Sequence, residues 1–199
     1  YNNKKKIITN CGFGYNISKK AMLLSRLTSA QSTLSLNDTS VLKFERDKLI
    51  NKAFGNSIKD SFKVSNLSFL EDENKIESKA SHNAYENLFG YIHKREILIN
   101  KIDENLEGRD ELIMKGDTQI IKYNIRFHLS PGIEAIHTMG GNNILIKIDK
   151  NKSLIFSSKN ELLSIEKSIF LGGNKILNNL CITLSGSLND NKIINWKIK

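Results

Sequence analysis

From Ile133 to its end, the chain is a succession of short alternating runs: Ile133–Met139, Asn143–Asp149, Ser153–Ser158, Leu162–Phe170, Leu177–Ser187 and Ile193–Ile198. Alternation with a period of two puts successive side chains on opposite faces of an extended strand. Between the runs stand Gly140-Gly141-Asn142, Asp149-Lys150-Asn151, Gly172-Gly173-Asn174 and Asn189-Asp190-Asn191, residue types that tolerate the left-handed backbone of tight turns. Strands this short and this closely spaced, with almost no helical periodicity, predict an all-β fold. We read it as a multi-stranded antiparallel β-sandwich with at most one or two short helices.

The clearest single strand is Tyr123–Pro131, YNIRFHLSP. Tyr123, Ile125, Phe127 and Leu129 point one way, and Asn124, Arg126 and His128 the other. Pro131 lacks the N–H that a continuing ladder needs, so it ends the strand. The wet face carries an arginine and a histidine about 7 Å apart along the strand. It reads either as an ordinary solvated face or as a cationic, titratable surface for an acidic ligand.

Upstream, Lys6–Cys11 reads as a strand closed by Gly12-Phe13-Gly14, and Ser18–Ser29 allows two helical turns capped by Ser18. Gln31–Leu36 and Val41–Glu45 alternate, and Asp47–Ile58 reads as a polar loop. Ser61–Asn66 and Lys75–Ala80 are the arms of a hairpin joined through Glu71-Asp72-Glu73-Asn74. Ser81–Gly90 is rich in turn residues, Tyr91–Asn100 is a strand, and Asp103–Asp110 contains a turn before Glu111–Met114.

The 199 residues suit one large all-β domain. No repeat or linker divides them, so a single domain over 1–199 is expected. The basic start without Met suggests a fragment of a larger protein. Lys and Arg exceed Asp and Glu to give a net charge of +9, which favours acidic partners. The charges are scattered, so nucleic-acid binding is not expected. No apolar run approaches the length of a membrane span. Cys11 and Cys181, far apart and without neighbouring cysteines, read as two buried thiols, with a bridge left open by count alone.

Few residues sit in patterns that carry chemistry. The four histidines, His82, His93, His128 and His137, form no HxH or HExxH box. The Gly-rich pieces lack the helix start of a phosphate cradle. Asp110 and Glu111, side by side after Arg109, read as a solvated charge cluster rather than an acid/base couple.

Taken in order, Asn10-Cys11-Gly12, Ser32-Thr33-Leu34, Ser81-His82-Asn83-Ala84-Tyr85, Phe89-Gly90 with His93, Gly108-Arg109-Asp110, Arg126-Phe127-His128-Leu129 with Pro131, and Trp196 form a constellation. It resembles the C-terminal β domain of heparinase II/III-like proteins, in particular their alphaproteobacterial branch. The resemblance runs over nearly the whole chain. It implies a polysaccharide lyase in which an N-terminal α/α toroid faces the β-sandwich across a groove for acidic polysaccharide. The implied reaction is β-elimination at a uronic acid. A neutralised carboxylate acidifies the C5 proton, a base removes it, and an acid assists the departing 4-O group. The implied elimination residues lie upstream of Tyr1, so no catalytic residue is expected here and the fragment alone should be inactive. Arg126, His128, His82, Tyr85 and His93 are the candidate substrate contacts, with interior hydrogen bonding as the alternative role. Arg126 is the foremost candidate for a charge-assisted contact, and Tyr85 a candidate for sugar stacking or for packing. Family members hold a zinc with two histidines and an aspartate. Two of those positions fall on Asn10 and Gln31, neutral amides that ligate Zn²⁺ poorly, so no metal or other cofactor is expected. Analogy places such a protein in the periplasm or cell envelope. The alternative reading is a non-catalytic module that binds acidic glycan or joins other envelope components.

Overall fold

The computed structural model describes residues 5–45, 58, 62–116 and 119–199. Within them thirteen strands form two antiparallel sheets packed face to face, as the sequence predicts. One sheet contains β1 (Ile8–Thr9), β2 (Leu34–Leu36), β7 (Ile121–Leu129), β11 (Leu162–Gly172) and β12 (Lys175–Leu188). In it β7 is flanked by β12 on one side and by β1 and β2, end to end, on the other. The second sheet runs β3 (Val64–Glu71), β4 (Lys75–His82), β5 (Tyr91–Asn100), β6 (Asn105–Met114), β13 (Lys192–Ile198), β10 (Lys152–Ser158), β9 (Asn143–Asp149) and β8 (Glu134–His137). Two short helices complete the described fold: α1 (Lys19–Leu24), whose first turn is capped by the Ser18 hydroxyl accepting from the Ala21 N–H, and α2 (Glu86–Phe89).

The alternation read in β7 sets the core. Tyr123, Ile125, Phe127 and Leu129 are buried between the sheets, against Ile182 and Leu184 of β12 and Ile144, Ile146, Phe156, Ile194 and Trp196 of the larger sheet. Burying each such side chain contributes about 1.5–3 kcal/mol. The centre is aromatic. Phe127 meets Phe156 at 4.9 Å and Trp196 at 4.7 Å between ring centroids, both edge to face, an arrangement that adds about 0.5–1.5 kcal/mol per pair. Trp196 lies flat over Gly108, where any Cβ would collide with the indole; glycine is the residue that lets the ring in.

Several boundaries differ from the sequence reading. The first strand shrinks from Lys6–Cys11 to Ile8–Thr9, because the chain then crosses the outer face of the smaller sheet. Gly12, in left-handed backbone, bridges Leu171 on the far strand, with Leu171 N–H donating to the Cys11 carbonyl at 2.7 Å. Val41–Glu45 forms no strand, only a bridge from Phe44 to Ile58. The loop reading of Asp47–Ile58 lies outside the described residues apart from Ile58. The hairpin's first arm is later and longer than read and carries a bulge between Ser65 and Ser68. The turn read within Asp103–Asp110 ends at Glu104, in left-handed backbone, and the strand β6, which the sequence reading did not place, begins at Asn105. Cys11 and Cys181 are both buried free thiols.

Candidate functional site

The hairpin β5–β6 turns at residues 101–104, which places Arg95 opposite Asp110. His93, two residues back, lies on the same face, and the β4–β5 register sets His82 opposite His93. Trp196 is brought to Gly108, one pleat along from Asp110. Five side chains from four strands therefore meet inside the sandwich. Asp110, fully buried, accepts from Arg95 Nε at 2.7 Å, from the Arg95 guanidinium a second time at 3.1 Å, from His93 Nε2 at 2.7 Å and from Trp196 Nε1 at 2.9 Å. Burial alone would push the Asp110 carboxyl up, but the Arg95 charge and the His93 hydrogen bond outweigh it and hold the group well below the usual carboxylate range.

The tautomers follow from the partners. The Ala84 N–H donates to His82 Nδ1 at 3.3 Å, so the His82 proton sits on Nε2 and is donated to His93 Nδ1 at 3.1 Å. His93 in turn donates its Nε2 proton to Asp110. Every ring nitrogen of the pair is used. Burial, with the neighbouring His93 and the Arg95 charge, lowers the His82 pKa to about 4, so the His82 ring is a neutral donor aimed inward at His93. The third arm of Arg95 donates to the Ser32 carbonyl at 2.9 Å. Ser32 ties the two sheets. Its hydroxyl donates to the Thr9 carbonyl at 2.5 Å and accepts from the His128 N–H at 2.9 Å, and its own N–H donates to Asn10 Oδ1 at 2.9 Å. The scattered short motifs of the sequence are thus one continuous hydrogen-bonded chain running from Asn10 through Ser32, Arg95, Asp110 and His93 to His82. The solvated charge cluster read at Asp110 and Glu111 is corrected for Asp110, the most buried charge of the network; Glu111 does lie on the outer face, beside Lys94 and Arg109.

Tyr85 and His93 have no surface to offer. Tyr85 is 0% exposed, donates to the Leu34 carbonyl at 3.0 Å and packs beside His82 and Phe89, and its burial raises the phenol pKa. Stacking on a sugar is therefore excluded for Tyr85, and packing, the other reading, describes it. His82 is half-buried with Phe62 against it.

Arg126 and His128 lie on the outer face of the smaller sheet, as the alternation placed them. There they border a pocket of about 270 Å³ shared with Cys11, Glu166, Lys167 and Ser168. The loop crossing from Cys11 to Ile17 and the helix α1 half-cover this face. His128 donates Nε2–H to the Ser29 carbonyl at 3.0 Å, while Nδ1 faces the Ser168 hydroxyl at 3.0 Å and the Cys11 thiol at 3.4 Å. Its one proton is spent within the protein, and burial lowers its pKa, so His128 is not the donor to an anion that the sequence suggested. Burial raises the Cys11 pKa, and that of Cys181 to about 11; neither is an activated thiolate. Arg126 makes the charge-assisted contact expected of it, but to Asp38 at 2.7 Å and to the Ser35 hydroxyl at 2.8 Å. The same loop holds Phe13 and Tyr15, 55% and 68% exposed, stacked with rings 10° from parallel, and the Phe13 N–H donates at 3.0 Å to the carbonyl of Leu171, which lines the pocket.

Asn10 and Gln31, the two positions that the sequence resemblance pairs with zinc ligands, do not fit the ion. Asn10 Oδ1 is occupied by the Ser32 N–H, and the Gln31 amide donates to the Ser25 carbonyl at 2.8 Å. Both are uncharged amides serving as backbone ties, a donor set that zinc binds weakly.

Sequence reasoning missed Arg95 altogether and misplaced Asp110. A signal existed. Arg95 shares the face of Tyr91 and His93 in an otherwise clean strand, and closing the hairpin at residues 101–104 sets an arginine opposite an aspartate.

No curated protein sequence matches the chain. In fold it is similar to solved enzymes. One is a heparan sulfate lyase of Pedobacter heparinus, with a TM-score of 0.74 and 14% identity over 98% of this chain. Two heparinase III structures have TM-scores of 0.71 and 0.68 with 10% and 14% identity, each over 100% of this chain. The chain spans only 28% of the length of each of these proteins. A sequence model described as heparinase II/III-like, C-terminal, matches residues 1–197, and the chain therefore belongs to the heparinase II/III-like C-terminal family.

Proposed function

We propose that this chain is the β-sandwich part of a polysaccharide lyase that cleaves uronate-containing acidic polysaccharide by β-elimination, with an α/α toroid of the same protein forming the opposite wall of the groove. The observation that carries the reading is the family match over residues 1–197, supported by the fold shared with lyases whose chains are more than three times as long. The side-chain chemistry agrees with a supporting role. Elimination needs a base and an acid that reach the substrate with usable pKa values. Among the described residues, His82 and His128 have lowered pKa values and His82, His93 and His128 are all tied to internal partners, and Tyr85 and Tyr123 are held protonated chiefly by burial. The elimination groups belong to the rest of the protein, and the present chain supplies a rigid wall.

On that wall the contact we favour is the Arg126 face. Lys167 and Arg126 border the pocket there, and the exposed Phe13–Tyr15 stack, on the loop tied to the pocket residue Leu171, offers an aromatic surface. The neutral tautomer of His128 leaves attraction of a carboxylate or sulfate to those two cations. The periplasm or cell envelope is the proposed location, by analogy with where such lyases act.

The test is an assay of the full-length protein for the ultraviolet absorbance of unsaturated uronate, with heparan sulfate, other glycosaminoglycans and alginate as substrates. Product from at least one of them, and none from residues 1–199 alone, is the expected result. Absence of product across all uronate polymers overturns the reading and leaves a non-catalytic glycan-binding or structural module.

A further inference from the structure

The outer face of the larger sheet carries a groove of about 1150 Å³ that plays no part in the reading above. It crosses β4, β5, β6, β13, β10 and β9, five inter-strand steps or about 24 Å. Glu77, Glu96, Glu107, Arg109 and Lys197 form its floor, and the connector between β10 and β11 forms a wall. A groove of that length suits an oligomer rather than a single small molecule.

The charges on the floor are already matched. Arg109 sits 3.3 Å from Glu111 and 3.8 Å from Glu96, Lys197 sits 2.7 Å from Glu107, and Glu77 pairs with Lys79 at 2.5 Å and Lys75 at 3.7 Å. The lining as a whole carries four carboxylates, Glu77, Glu96, Glu107 and Glu161, against three cations, Arg109, Lys197 and Lys159, so its balance is acidic and repels a carboxylate or sulfate even where a surface pair could exchange partners. On a chain with a net charge of +9, this groove is the wrong place for a polyanion.

It is well provided for hydroxyl groups. Asn142, Asn143, Asn160 and Asn195 line it, and among the described residues their side-chain amides have no protein partner. Each offers two donors and an acceptor. The paired carboxylates keep lone pairs free for hydroxyl donors, since an ion pair occupies only part of their accepting capacity. Leu98 and Leu162, the latter 70% exposed, supply apolar surface against which the C–H face of a sugar ring can lie.

We propose that this groove binds a neutral, hydroxyl-rich oligosaccharide, a second glycan site distinct from the acidic-polymer wall. Binding there is driven by amide–hydroxyl and carboxylate–hydroxyl hydrogen bonds and by contact with the leucines, so it is insensitive to salt. A module of this kind lets one protein hold a mixed cell-surface glycan by its neutral stretches while acidic stretches enter the lyase groove.

The experiment titrates ¹⁵N-labelled chain with cellohexaose, xylohexaose, mannohexaose and a heparin-derived hexasaccharide, followed by amide shifts. One neutral hexaose is expected to move the amides of Glu96, Arg109, Asn195 and Lys197, with the same affinity at low and high salt and no displacement by the heparin fragment. Asn160→Gly, which suits the left-handed backbone at that position, combined with Asn195→Ala should weaken that binding about tenfold or more, and Leu162→Asp should weaken it further, while thermal midpoints change little because all three side chains are exposed. The proposal is overturned if none of the neutral hexaoses moves these amides, if the shifts appear at Arg126 and Lys167 instead, or if the heparin fragment displaces the neutral sugar. None of these readouts depends on lyase activity.

Discussion

Two arginine–aspartate pairs bind this molecule together, and they are chemically alike but physically opposite. Arg95 and Asp110 meet across β5 and β6 with the carboxylate fully buried and four donor contacts converging on it. Arg126 and Asp38 meet at the edge of the other sheet, where the Asp38 side chain is 65% exposed. In the interior pair, removing one partner strands a charge in a medium that cannot solvate it, a loss of about 3–5 kcal/mol. In the outer pair water replaces whatever is lost, and such contacts contribute about 0–1 kcal/mol. The lesson is that a charged motif residue near a presumed substrate groove is not thereby a substrate contact. Arg95 is committed to the fold, whereas Arg126 can exchange Asp38 for another anion at little cost.

The sharpest way to break this contrast is Asp110→Ala. It should destabilise the protein by about 3–5 kcal/mol, read as a lower urea midpoint and a thermal midpoint lower by roughly 10 °C. A loss below about 1 kcal/mol means that Asp110 is not the hub. Next is Gly108→Ala. The new methyl must displace the Trp196 indole, so a loss of about 1–3 kcal/mol is expected, with changed tryptophan fluorescence; an unaltered emission spectrum counts against the close approach.

The third prediction uses pH. The His82 pKa is near 6.5 unfolded and about 4 folded, so below 6.5 the unfolded chain takes up a proton that the native protein refuses. The stability due to neutral His82 is intact above 6.5 and drains away as pH falls toward 4, on the order of 3 kcal/mol in all. Denaturant midpoints for wild type and His82→Asn should converge as the pH is lowered through that window; parallel curves exclude a buried neutral His82.

The smallest effect belongs to the outer pair. Asp38→Asn, which keeps a residue suited to the left-handed backbone at that position, should change stability by less than about 1 kcal/mol, and the change should shrink with added salt. The coupling energy of an Arg126/Asp38 double-mutant cycle should fall well below that of an Arg95/Asp110 cycle. Equal couplings erase the distinction drawn here.

Most of the fold was legible in the sequence. Every strand from Tyr91 onward lies where alternation put one except β6, whose residues were read as a turn and a lead toward the next strand, and the Ser18 cap opens a helix of the expected length. Legibility failed where the chain is short of alternation or pairs irregularly. Asn10 and Cys11 left the strand pattern because Gly12 is held by Leu171, which is distant in sequence. The bulge at Ser65–Ser68 moved the hairpin's first arm. The candidate site was half legible. His82, His93 and Tyr85 were singled out as candidate substrate contacts, with interior hydrogen bonding as the alternative, and they lie among interior partners; Arg95, which organises the two histidines through Asp110, carried only the weak signal of a cation on an apolar face.

Side-chain period and turn chemistry are local properties, so the sequence alone determined that the chain is a stack of antiparallel strands, which face of each is dry, and to which family it belongs. Tertiary structure decided who meets whom: Asp110 with Arg95, His93 and Trp196, Arg126 with Asp38, and His128 with Ser29 and Ser168. Those partners lie from 15 to 99 residues apart. Strand register across two sheets fixes them, and with them whether a histidine is a free donor and whether an arginine is spare.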